Sequence, residues 1–136
     1  MRLGPGTAEA TAPVKAENCH TAGGLHGSAY FKLLDDAAFF AAQSLNTTHF
    51  VVTTSFTTYI TRVVVPGKVP TLTSTATVTS SSKGLILAES ILRQPDGTVV
   101  ARGSGTFQPH PKLELALVPQ YIDDTTYPFT AEDDPL

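Results

Sequence analysis

Tryptophan is absent, cysteine and methionine occur once each, and charged residues make up only 15% of the 136-residue chain. A single cysteine, Cys19, excludes an intrachain disulfide and disfavours the disulfide-stapled design of small secreted domains. No apolar run approaches the roughly 18 to 20 residues that span a bilayer, and residues 1–20 hold no apolar signal-peptide core. The expectation is therefore a cytoplasmic protein with no membrane partner. Basic residues number nine, are scattered singly, and leave a net charge of −3. Without a basic patch to neutralise phosphates, nucleic acid is not an expected partner.

Paired cysteines and an HExxH pattern are also missing. A zinc site needs three or four ligands, so Cys19, His20 and His26 are not read as a metal centre and no metal is expected. Cys19 is a weak candidate nucleophile, because the side chains of the adjacent Cys19 and His20 diverge. Low charge also leaves a thinly solvated surface, which favours association through a large face.

What is present is 41% hydrophobic residues, with threonine and serine supplying much of the polar character. The length fits a single domain spanning 1–136, with a core over about 15–108 and peripheral segments at 1–14 and 109–136. The first segment, MRLGPGTAEATAPV, has a composition that orders only when something pairs with it, with room for a short strand within residues 8–15. NCHTAGGLHG is a glycine-containing loop. It opens onto the one long helical stretch, SAYFKLLDDAAFFAAQSL, whose apolar residues fall on every side of a helical wheel, the mark of a buried helix. Ser28 is placed to cap it or to occupy its first turn.

After His49 the period changes to two. FVVTTSFTTYITRVVV is β-branched and aromatic, and VPTLTSTATVTSS alternates Leu72, Ser74, Ala76 and Val78 against a threonine face. Lys83-Gly84 and Pro95-Asp96-Gly97 are turns flanking LILAESILRQ and TVVARGSGTF. Four long antiparallel strands in meander order are expected after the helix, in an α+β fold whose sheet wraps around it. The tail from Pro109 is acidic, and its apolar residues, among them Leu113, Leu117, Tyr121 and Phe129, are expected to pack partly on the domain, with EDDPL as a loose end.

Two features of this framework carry chemistry. Asp35 and Asp36 lie inside an apolar helix, where an ionised carboxylate is costly unless paired or facing a polar cavity. Successive helical positions point about 100° apart, so the two acids cannot share a task. His26 and Gly27 lie just before the helix, where unsatisfied backbone N–H groups at Gly27 or Ser28 would polarise a carbonyl oxygen as it gains negative charge.

GGLHGSAYFKLLDDAAFFAAQ, TTSFTTYITRVVVPGKV and ESILRQPDGTVVARGSGTF, in this order, resemble the hotdog-fold thioesterases of the phenylacetate-pathway (PaaI-like) type, related to 4-hydroxybenzoyl-CoA thioesterase. The resemblance spans roughly residues 18–107. It implies an antiparallel sheet of about five or six strands around one long buried helix, and hydrolysis of acyl-CoA or related thioesters. The family's loop histidine falls on His26, its carbonyl-polarising backbone donor on Gly27, and its catalytic carboxylate, base or nucleophile, on Asp35. The chain departs from the pattern at His20, where the family has Asn or Gln, with Asn18 two residues earlier, and at Ser28, where it has a second glycine.

The resemblance also places a strand Ser or Thr facing the carboxylate at Thr53 or Thr54. Asn18, Ser28, Asp36, Thr53, Thr54, Tyr59 and Arg62 are the candidate substrate-binding residues beside the catalytic set Asp35, Gly27, His20 and His26. Tyr30, Phe31, Phe39, Phe56 and Tyr59 supply a candidate acyl pocket, and Arg62, Lys68 and Arg93 candidate cations for coenzyme A phosphates. No cofactor is implied beyond coenzyme A as part of the substrate. The implied assembly is a homodimer with shared active sites, paired further into a tetramer. Two other readings use the same fold: a hydratase or dehydratase pairing His26 with Asp35, and a non-catalytic protein that binds acyl thioesters or assembles a complex.

Overall fold

The computed structural model describes residues 1–115. Its elements are β1 (Arg2–Gly4), β2 (Thr7–Pro13), α1 (Gly27–Gln43), β3 (His49–Ile60), β4 (Thr71–Ser82), β5 (Leu85–Arg93) and β6 (Val99–Glu114). The six strands form one antiparallel sheet in the order β1-β2-β4-β5-β6-β3, and α1 packs on one face of it.

The helix lies close to the sheet because its central stripe is alanine. Ala37, Ala38, Ala41 and Ala42 are fully buried, together with Leu34. Opposite them β4 presents Leu72, Ser74 and Ala76, and β5 presents Ile86, Ala88, Ser90 and Leu92, all buried. The alternation read from β4 is the observed one, with its threonines turned outward. Burial of each of Leu34, Leu72 and Leu92 stabilises the fold by about 1.5–3 kcal/mol. Gly84, at φ +80°, closes the two-residue β4–β5 hairpin in a conformation that L side chains rarely adopt.

The expectation of a four-strand meander is corrected. β4, β5 and β6 do follow one another, but β3 lies beyond β6 instead of beside β4. Its strand ends at Ile60, and residues 61–70, which include Pro66 and Pro70, form a crossing connection far longer than a hairpin turn. The vacant side of β4 is taken by β2, with Ala8 opposite Ala76, so part of the N-terminal segment is sheet. β6 likewise runs past the expected core boundary at 108, burying Leu113, and the Leu115 N–H donates to the Thr48 carbonyl at 2.8 Å. The expected packing of Leu117, Tyr121 and Phe129, and the EDDPL end, lie outside the described residues.

α1 is not enclosed on every side. Phe31 is 41% exposed, and Phe39 and Phe40 are half-buried. Phe31 and Phe39 lie on the side of the helix that meets β3, whose outer edge has no neighbouring strand within the described residues. Among the described residues no helix is long and apolar enough to cross a membrane.

Candidate active site

Phe31, Asp35 and Phe39 are spaced by four along α1 and therefore stack on one helix face. β3 meets that face with Phe56, Thr53 and Phe50. The Phe31 and Phe56 rings pack edge to face at 5.4 Å, and the Phe39 and Phe50 rings pack tilted, also at 5.4 Å. Between them Thr53 Oγ1 donates to Asp35 Oδ1 at 2.9 Å. The carboxylate is thus bracketed by two aromatic pairs along the seam between helix and edge strand.

Thr53 and Phe56 are three residues apart, and in a regular strand they would point to opposite faces. A β-bulge removes the conflict: Thr53 is opposite Phe107 and Ser55 is opposite Thr106, which leaves Thr54 as an extra residue. Thr54 and Ser55 then both turn to Thr106, at 2.7 and 2.6 Å between hydroxyl oxygens. Of the two candidate threonines, the structure brings Thr53 to the acid and not Thr54.

Gln43 holds the other end of the seam. Its side chain accepts from the Val51 N–H at 2.9 Å and donates to the Asn46 and His49 carbonyls at 3.0 Å each, tying the last turn of α1 to the first residues of β3.

Asp35 and Asp36 differ as their 100° separation requires. Asp35 is half-buried, and desolvation raises its pKa above the ordinary value, aided by the charge of Asp36 and opposed by the Thr53 hydrogen bond and by Lys32. Asp36 turns to solvent and pairs with Lys32 at 2.6 Å, one turn earlier. With Asn18, Ser28 and Lys32 it lines a cavity of about 470 Å³ whose floor is Leu25, Leu33 and Leu72. Asp35 does not line that cavity. Of the two acids, Asp35 is the one that packing draws out of water and a hydroxyl holds in place.

At the start of α1, His26 is the N-cap. Its Nδ1 accepts from the Ser28 N–H at 3.1 Å and lies 2.8 Å from Ser28 Oγ. An acceptor Nδ1 puts the proton of the neutral ring on Nε2. The Gly27 N–H has no partner among the described residues, so it, and not that of Ser28, is the open donor. Gly27 lies beside Ile60 at the far end of β3.

His20 sits in the preceding loop, where its Nδ1 accepts from the Ala22 N–H at 3.1 Å. Its ring lies against Gly24, where a Cβ would come within 2.9 Å of His20 Nε2. Asn18 accepts from the His26 N–H through its carbonyl, at 2.8 Å. Tyr59 lies on the outer face of the sheet, in a shallow depression with Glu89 and Arg102.

Arg62 presents its backbone carbonyl to the Tyr30 hydroxyl at 2.9 Å, and the same hydroxyl accepts from the Val64 N–H at 2.9 Å. Tyr30 is thereby a buried strut of the 61–70 crossing, not a pocket wall, and burial raises its pKa. Of the candidate cations, Arg62 and Lys68 both lie near Asp96, whose pKa is lowered first by its hydrogen bonds with Thr98 and then by the Arg62 charge. Lys68 lies beside the β5–β6 turn, while Arg93 donates to Thr75 on the outer sheet face.

Solved structures share this architecture. The PaaI protein of the Escherichia coli phenylacetic acid degradation operon matches with a TM-score of 0.72 and 25% identity, over 80% of this chain and 76% of that one. Conserved protein PA5202 of Pseudomonas aeruginosa matches at 0.73 and 28% identity, over 81% and 86%. The chain has a PaaI-like hotdog fold. Thioesterase HI1161 of Haemophilus influenzae has the same hotdog fold, with a TM-score of 0.70 and 20% identity over 79% of this chain and 74% of that one. No family model and no curated protein matches the sequence.

Within this hotdog protein, sequence reasoning missed Phe50, Gln43, and the glycines Gly103 and Gly105 beneath Phe56. The Gly-x-Gly alternation inside a strand was their legible signal.

Proposed function

We propose that the protein hydrolyses acyl thioesters, acyl-CoA foremost, to free acid and thiol. The observation that carries this reading is the half-buried Asp35 carboxylate, raised in proton affinity and fixed by Thr53 between two aromatic pairs. Oδ1 is held by Thr53, which leaves Oδ2 to take a proton from water as the water oxygen attacks the thioester carbonyl. The carbonyl oxygen gains negative charge against the open Gly27 N–H at the positive end of α1. The tetrahedral intermediate then collapses, the C–S bond breaks, and the leaving sulfur takes up the proton held on Asp35, which restores the carboxylate. Water is the only co-reactant, and coenzyme A enters as part of the substrate.

Donor and base cannot act together within one protomer. Gly27 and Asp35 are eight helical residues apart, about 12 Å at 1.5 Å per residue, whereas each must lie about 3 Å from its reacting atom. A second copy, pairing through the β3 edge, supplies the missing half. That edge is twelve residues long and carries no Lys, Arg, Asp or Glu to guard it, and Phe31, Tyr59, Ile60, Val63 and Val65 are exposed on or near it. A homodimer with two shared sites follows, and a tetramer could be built from such dimers.

The hydratase reading needs an imidazole acceptor beside the acid. The His26 acceptor nitrogen is instead occupied by Ser28, and Thr53 is the partner of Asp35. The test is free-thiol release from acyl-CoAs, aromatic and C2 to C16, by the parent, Asp35→Asn and Asp36→Asn. Turnover is expected in the parent, abolished by the first substitution and retained by the second. A folded dimeric parent inert on every thioester would overturn the reading in favour of a binding protein.

A further inference from the structure

Gly103 and Gly105 alternate on β6 and face α1 from the layer beneath Phe56. A Cβ on Gly103 would lie 2.6 Å from Phe56 Cε1 and Cζ, and one on Gly105 would lie 2.5 Å from Phe56 Cδ2. The ring therefore occupies the space that two ordinary side chains would fill. Glycine within a strand weakens it, so two of them here need a reason. Two such residues under one ring make a notch of ring size.

The floor of this notch is not purely apolar. Ser90 is opposite Gly103 on β5, is 1% exposed, and its Oγ, 3.2 Å from the Gly103 Cβ position, has no partner among the described residues. The outer side of the ring is open. Phe56 is half-buried, and its edge-to-face partner Phe31 is 41% exposed. A ring present only to fill the core would be enclosed on both sides. Here it stands between a notch inside the protein and the seam that holds Asp35, which lies one helical turn from Phe31.

Resting on the thioesterase reading above, we propose that Phe56 sets the acyl length of the site: its ring plugs the Gly103–Gly105 notch and restricts substrates to thioesters of compact acyl groups. An acyl chain leaving the carbonyl beside Asp35 toward the helix start meets the Phe31–Phe56 pair and stops there. Removing the ring opens the notch, and each further methylene that enters it is worth about fourfold in binding.

The experiment measures kcat/KM for acetyl-, hexanoyl- and decanoyl-CoA with the parent, Phe56→Ala and Phe56→Leu, each checked for folding by circular dichroism. The parent is expected to favour the shorter substrates. The decanoyl-to-acetyl ratio is expected to rise at least about tenfold in Phe56→Ala, with Phe56→Leu between the two. Gly105→Ala, which crowds the ring without removing it, should leave that ratio at or below the parental value. A parent that already prefers decanoyl-CoA overturns the proposal. So does an unchanged ratio in folded, active Phe56→Ala, or in Phe56→Leu should the alanine variant fail to fold. In both cases the parent turns over thioesters, so the thioesterase reading survives. If the folded parent releases no thiol from any substrate, both fall together.

Discussion

Asp35 and Asp36 are neighbours in sequence and opposites in environment. Asp35 faces a seam of aromatic rings, is half out of water, and has a hydroxyl instead of a cation as its partner. Asp36 faces a wet cavity and is matched by Lys32 one turn away. A surface ion pair of this kind is worth about 0–1 kcal/mol and is screened by salt. The rotation of 100° between consecutive helical residues thus divides one apolar helix into a desolvated side and a solvated side. The comparison teaches that desolvation raises the proton affinity of a helix carboxyl more than the charges around it do.

The comparison can be broken most strongly at the acid itself. Asp35→Asn is expected to lower kcat/KM by about 10²–10⁴-fold, and Asp36→Asn by less than about tenfold. The double variant should be no worse than Asp35→Asn alone, and comparable damage from Asp36→Asn would undo the division. Next is Thr53→Val, which deletes the hydrogen bond to the ionised carboxylate. A bond of that class contributes about 1.5–3 kcal/mol, and because it favours the charged form its loss should move the acid limb of the pH–rate profile upward while lowering the plateau roughly tenfold or more.

Smaller effects come from the solvated side. The charge of Asp36 raises the Asp35 pKa and that of Lys32 lowers it. Asp36→Asn should therefore shift the acid limb down and Lys32→Met shift it up, and both shifts should shrink in high salt. A pH–rate series at two ionic strengths tests all three signs.

Stability gives the smallest and most diagnostic effect. The folded-state pKa of Asp35 lies above its unfolded value, so the folded chain holds that proton more tightly. The stabilisation from this group is complete below the ordinary value of about 3.9 and is lost as pH rises through the folded value. Asp35→Asn, uncharged throughout, should be more stable than the parent at neutral pH, with the advantage vanishing in acid. Urea midpoints across that range provide the measurement, and a destabilised Asp35→Asn at pH 7 would contradict the assigned desolvation.

Much of this architecture is legible in the amino-acid sequence. The alanine-rich helix, the Leu72–Val78 alternation, the Lys83-Gly84 reversal and the separation of the two acids all follow from local pattern, because helix and strand periods are set by neighbouring residues. The place of β3 is not legible there. Its hydrophobic pattern fits either side of the sheet, and the choice depends on β2 reaching β4 from residues 7–13, a long-range pairing that local sequence does not encode. His26 as a cap, Tyr30 as a strut and Thr53 rather than Thr54 as the acid's partner are hidden for the same reason. Each depends on where a distant segment passes or on one unpaired residue in a ladder.

That unpaired residue has a further consequence for how the protein can change. Thr54 functions as a half-step inserted between two reading phases of one strand: Thr53 before it and Phe56 after it both turn to the helix, although an odd number of positions separates them. Substitution at Thr54 changes a hydroxyl on the outer face and leaves the phase intact. Deletion would restore strict alternation and turn either the acid's partner or the ring over the glycine notch out to the opposite side. At this point in the chain, length is under tighter constraint than chemistry.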